Sequence, residues 1–163
     1  MTTLRSKPWR AAGTAVRTFF GALLIGCALW GAPSAAAQPN GQGPAVTGAW
    51  MRFILPARPA AGYFTLNNDT DKAFTLTGAV SPDCGTLMLH QTLQQNGQDR
   101  MVPAKSIPVP AHGKVVFTPG GYHLMCMSPA AALRPDKTVP VTLRFADGST
   151  VTVRFPVRGA TGQ

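Results

Sequence analysis

Val139-Pro140-Val141-Thr142-Leu143-Arg144-Phe145, then Asp147-Gly148, then Thr150-Val151-Thr152-Val153-Arg154-Phe155-Pro156-Val157, is the stretch that decides the fold. Apolar and polar residues alternate with period two on both sides of an Asp-Gly turn. Side chains two apart on a strand share a face, so Val141, Leu143 and Phe145 form one apolar stripe and Val151, Val153 and Phe155 another. Two such runs around Asp-Gly are a β-hairpin with one face buried.

The same grammar runs back through the chain. Ala45–Ile54, Gly62–Leu66, Ala73–Val80, Thr86–Leu93, Arg100–Val102, Lys114–Phe117 and Tyr122–Met127 read as strands, and Ile107–Pro110 as an extended segment. Asn67-Asn68-Asp69, Ser81-Pro82-Asp83, Asn96-Gly97, His112-Gly113 and Pro119-Gly120-Gly121 read as turns. Ala130–Lys137 reads as a loop or one short helical turn. No helical period extends beyond about two turns. The 15 prolines suit strand ends and edges rather than helices. Eight or nine short strands at regular spacing predict an all-β antiparallel sandwich or barrel.

The 163 residues do not all belong to that domain. Residues 1–37 have the layout of a secretory signal peptide. Arg5, Lys7, Arg10 and Arg17 open it, an apolar run spans Phe19–Ala32, and Ala35-Ala36-Ala37 offers a small-residue cleavage site. The apolar run falls short of the roughly 20 residues of a membrane span. A second reading stays open: Leu24-Ile25-Gly26-Cys27 resembles a lipobox, which would anchor the mature chain through a lipid on Cys27. Both readings place the domain outside the cytoplasm. Residues 38–44 read as a flexible lead-in, 45–158 as one domain with one core, and 159–163 as a short tail.

Of the chain's 15 Lys and Arg, four lie in the leader, leaving eleven against six acidic residues, all Asp. The eleven are scattered, without the dense basic patch that a nucleic-acid interface needs. No Ser-His-Asp set or acid pair presents itself, so the chain is not expected to be an enzyme. No small-molecule substrate is implied.

The chemistry lies in His90, Met101, His123 and Met125, spaced His-x10-Met-x21-His-x-Met. Thioether sulfur is a soft, neutral donor that suits Cu(I) and offers little to Zn, Mg or Ca. His123 and Met125 lie two apart on one strand and so share a face, which Met127 extends. His90 shares a face with Met88, and the Asn96-Gly97 hairpin turns Met101 back towards it. Met88 and Met127 are read as sulfurs standing behind the ligands, Met51 as packing, and His112 as a surface residue in a turn. Cys84 and Cys126 leave three readings open: a disulfide, two buried thiols, or Cys126 as a copper ligand in a blue-copper arrangement with His90, His123 and Met127.

Those four residues with both long spacings kept, together with Ala49-Trp50, Ala60-Ala61-Gly62-Tyr63, Leu89-His90, Ile107-Pro108-Val109-Pro110 and Pro119-Gly120-Gly121-Tyr122-His123, resemble the periplasmic PCu(A)C copper chaperones. The resemblance covers roughly residues 45–158. It implies a cupredoxin-like Greek-key β-sandwich and Cu(I) held near the surface by His90, Met101, His123 and Met125. It further implies delivery of that copper to the CuA subunit of cytochrome c oxidase alongside a Sco-type thiol protein. Storage of copper for resistance would use the same site. Gln91 stands where many relatives carry a further Met, and the tail lacks the His/Met-rich extension that some of them have.

Overall fold

The computed structural model describes residues 43–162. The leader, Cys27 and the first part of the lead-in lie outside the described residues. Ten strands are present: β1 Ala45–Arg52, β2 Ala60–Asn68, β3 Phe74–Val80, β4 Cys84–Gln95, β5 Gln98–Pro103, β6 Ile107–Val109, β7 Gly113–Phe117, β8 Tyr122–Pro129, β9 Thr138–Phe145 and β10 Thr150–Arg158. No described residue is helical, and Ala130–Lys137 is a loop. The count exceeds the eight or nine expected. Ile107–Val109, expected only to be extended, pairs antiparallel with β3 through Phe74↔Val109 and Leu76↔Ile107. Pro108 is tolerated because β6 ends the strand order, where one missing N–H costs no ladder bond.

Hydrogen bonding runs in the order β5-β4-β8-β7-β2-β1-β10-β9-β3-β6, with β8 also pairing β2. The link between β1 and β10 is parallel and short, Met51↔Val157 and Arg52↔Arg158. There the sheet folds over on itself, leaving one leaf of β5, β4, β8, β7, β2 and β1 against another of β10, β9, β3 and β6. Met51, Phe64, Leu66, Leu89 and Leu124 of the first leaf join Leu76, Val141, Leu143 and Phe155 of the second in one buried cluster. Phe64 stacks on Phe117 at 4.0 Å and meets the edge of Phe155 at 5.7 Å, so the two leaves interlock through aromatic rings.

Two local devices hold the frame. A bulge between Thr47 and Trp50 interrupts the pairing of β1 with β2. Gly48 sits in it at φ +62°, a conformation that costs glycine little. Asn68, expected in a turn, instead ends β2 and is fully buried. Its amide donates to the carbonyls of Lys72 and Pro110, both at 2.7 Å, and its Oδ1 accepts from the Thr70 N–H and hydroxyl. Every polar atom of that side chain is thus matched, which makes its burial tolerable.

Candidate metal centre

The outer face of the first leaf is set by strand alternation. Leu87 and Leu89 on β4 and Leu124 and Cys126 on β8 turn into the core, so Met88, His90, His123, Met125 and Met127 turn the other way. Register then brings them together. His90 lies directly opposite His123, Met88 opposite Met125 and Thr86 opposite Met127. The two imidazoles meet edge to face, centroids 5.8 Å apart and planes at 64°.

Both histidines are buried, His90 to 8 % and His123 to 5 % exposure. A carbonyl can only accept, so the 3.1 Å contact from Nδ1 of His123 to the Gly121 oxygen puts the proton on Nδ1. The Nε2 side of the His123 ring takes no part in that bond. Neither ring nitrogen of His90 has a hydrogen-bond partner. Burial, and then the neighbouring His123 ring, push the His90 pKa below its usual value, so this imidazole is neutral at neutral pH. A buried donor or acceptor without a partner costs about 1–3 kcal/mol, so such atoms mark a place built for a ligand or under strain.

Met101 reaches the same face from β5, where it pairs with Thr92, while His90 faces Pro103. Its side chain is 59 % exposed, so this sulfur reaches into solvent instead of filling the core. Met101, Met125 and His123 share a cavity of about 360 Å³ with Thr92, Tyr63 and Arg52. Met88 and Met127 are partly buried neighbours along the two strands, and Met51 is wholly buried in the core. His112 stands apart, with Nε2 2.6 Å from Asp71 in an exposed pair.

Among the described residues no three His, Cys, Asp or Glu converge on one point. A metal held here therefore draws on thioether sulfur as well as imidazole. Thioether and imidazole are the donor types that suit soft metal ions. The cysteines do not contribute a thiolate. Cys84 and Cys126 form a disulfide with Cα atoms 5.4 Å apart. Cys126 is fully buried and faces the core. The reading of Cys126 as a copper ligand is thereby overturned, and a blue-copper site of two histidines and a cysteine lacks its cysteine.

Arg52 and Tyr63 were missing from the set expected from sequence. Arg52 pairs with Ala61, and Ala61 with Met125, so they form one row across β1, β2 and β8. The short Ala61 side chain leaves space between Arg52 and the sulfur. The guanidinium lies over the Tyr63 ring, 5.6 Å from its centroid. Burial raises the Tyr63 pKa, against a smaller opposing pull from Arg52. Alternation after Trp50 places Arg52 and Trp50 on one face, but only strand register shows that this face continues to His123.

Residues 44–157 match the family described as "Putative lipoprotein LpqE-like". The chain is 36 % identical to "Putative lipoprotein Lxx21020" of Leifsonia xyli subsp. xyli, over 85 % of this chain and 84 % of that one. Among solved structures, apo-DR1885 of Deinococcus radiodurans is 32 % identical, with a TM-score of 0.53 over 78 % of this chain and 91 % of that one. The Cu(I) form of DR1885 is 30 % identical, with a TM-score of 0.50 over 72 % and 80 %. The copper-bound PCuAC domain of PmoF2 shares the fold at 22 % identity, with a TM-score of 0.58 over 70 % and 91 %. By the match over its whole sandwich, the chain belongs to the LpqE-like family of PCuAC-type domains, with their cupredoxin-like fold.

Proposed function

We propose that this protein is an extracytoplasmic copper chaperone, binding Cu(I) through His90, Met101, His123 and Met125 and giving it up by ligand exchange. The observation that carries the reading is the pair His90 and His123. Two buried imidazoles face each other across β4 and β8, His90 with both nitrogens unpartnered and His123 in the wall of the cavity that holds Met101 and Met125. Neutral imidazole and thioether bind Cu(I) without a compensating charge, and they exchange more readily than thiolates. The related DR1885 has been solved with Cu(I), which supports the same cargo here. The role is binding and transfer, not catalysis.

As recipient we propose, on the resemblance alone, the CuA subunit of cytochrome c oxidase, with a Sco-type thiol protein alongside. The lipoprotein names of the family and of its Leifsonia relative support anchoring through Cys27 over release at Ala37. Either way the folded domain works in the periplasm or its equivalent outside the membrane.

The test is titration of the exported domain with Cu(I) against a competing chelator. Wild type should bind one equivalent, and the double variant His123→Ala, Met125→Ala should lose that binding. Unchanged affinity in the double variant would sink the site assignment. Oxidase activity of a deletion strain at limiting copper separates delivery from storage, and mass of the exported protein reads the state of Cys27.

A further inference from the structure

Arg52 is the one cation in the wall of the cavity that holds Met101, His123 and Met125. Its Nε is buried and has no hydrogen-bond partner. Among the described residues the only ion pairs are Lys72–Asp147 and His112–Asp71, so Arg52 faces no carboxylate. A positive charge there does nothing to attract Cu(I) and weakly opposes it. Such a charge, paired with no carboxylate and lining the same cavity as the sulfurs, is suited to an anion that also binds a soft metal. The row Arg52–Ala61–Met125 puts the guanidinium and the sulfur on either side of a residue too short to fill the gap.

We infer that Arg52 makes this cavity a receiving site for a thiolate, which it holds against the copper while a sulfur of this chain lets go. The inference rests on the copper-binding reading above. Met101 is the departing ligand, since it is 59 % exposed and free to swing out. The incoming thiol gives its proton to solvent. The thiolate sulfur forms a bond to Cu(I) as the Met101 sulfur–copper bond breaks, and copper stays monovalent with no electron moved. Arg52 stabilises the anion through the charge of its guanidinium. It is a positioning residue, touching the incoming sulfur and not the metal. The thiolate could come from a free thiol or from a cysteine of a recipient protein.

Cu(I)-loaded wild type, Arg52→Gln and Arg52→Lys are mixed in stopped flow with 2-mercaptoethanol, with a single-cysteine peptide, or with a neutral thioether peptide. Arg52→Gln should slow exchange to the thiolates by about tenfold, the size of a partly screened charge interaction. Arg52→Lys should restore most of that rate. Exchange to the thioether peptide and equilibrium Cu(I) affinity should move less than about threefold, below half of that interaction energy. Dependence with 2-mercaptoethanol shows that the thiolate group itself is read; dependence with the peptide alone shows a protein-borne thiolate, and either supports the inference. Equal slowing for thiolate and thioether acceptors, or no slowing, overturns it. Absence of Cu(I) binding by wild type overturns the function and this inference together, whereas normal binding with an inert Arg52→Gln overturns the inference alone. Should Arg52→Gln fail to fold, iodide titration of the apo wild type decides: the Nε–H resonance of Arg52 should shift with saturation, and an unmoved resonance overturns the anion site.

Discussion

His90 and His123 face each other across β4 and β8 with ring centroids 5.8 Å apart, and both His90 nitrogens are without partners. The pair is assembled by sheet register before any ion arrives. A centre of this kind keeps donors poised at a cost to the empty fold.

That cost is measurable at His90. Replacing it with Leu removes two unmatched buried nitrogens while keeping apolar volume. We expect the apo His90→Leu variant to unfold at a temperature equal to or above wild type, while Cu(I) affinity falls at least about tenfold, roughly 1.4 kcal/mol. Calorimetry with a chelator competition reads both, and a drop in apo stability of about 2 kcal/mol would contradict the assignment of an unmet polar pair.

Met101 is expected to behave differently. Its exposed side chain contributes little packing, so Met101→Ala should change stability by less than about 0.5 kcal/mol. Copper affinity should nevertheless fall measurably in the same chelator assay. A stability loss above 1 kcal/mol by urea titration would show instead that this sulfur is packing, as most strand methionines are.

The disulfide closes a loop of sequence separation 42. Loop-closure entropy for that span gives about 4 kcal/mol, within the usual range for native bridges. The double variant Cys84→Ser, Cys126→Ser should lose stability on that order in denaturant unfolding, and reduced wild type should match it.

Gly62 lies at a close approach between β2 and β8, opposite Leu124. A Cβ there would sit 3.1 Å from the Leu124 Cβ, so Leu124 must give by a few tenths of an ångström. Gly62→Ala should cost about 1–3 kcal/mol by overpacking. Because β8 also carries His123 and Met125, the chemical shifts of both should move, whereas a purely local clash would leave them in place.

Acid stability has a contributor outside the site. Lys72 lies 2.7 Å from Asp147 Oδ2, and the Ser149 hydroxyl and N–H bond its Oδ1. The Lys72 bond, then those from Ser149, hold the Asp147 carboxyl well below the ordinary carboxylate range. A group whose folded pKa is depressed lends stability above its unfolded value, here near 3.8, and loses it as pH falls further. Asp147→Asn should therefore be less stable than wild type at pH 7, by a small and salt-sensitive margin, with the gap closing in acid. A gap that stays constant to pH 2 would remove the charge from the explanation.

Much of this was legible in the sequence because period two is a strong signal when one face is buried. The β9–β10 hairpin fell out of it directly. So did the shared face of His123 and Met125, which needs nothing beyond alternation. Three things did not. Ile107–Val109 is too short to show a period, and its pairing with β3 is a tertiary fact. Asn68 looks like a turn residue until its four bonds are seen. Arg52 belongs to the site only through two successive strand registers, which no local pattern encodes. The cysteines were undecided for a similar reason, since a bridge depends on Cα separation in space.

The Cys84–Cys126 bridge also bears on which ion the domain can keep and give away. A thiolate binds a soft ion more strongly than any thioether, and a reduced Cys126 would present such a rival only on opening of the core that buries it. The oxidised pair is the chain's way of silencing that rival. Cystine forms where the surroundings are oxidising and not in the cytosol. With both cysteine sulfurs locked in the bridge, the methionines are the sulfurs left to the outer face of β4 and β8.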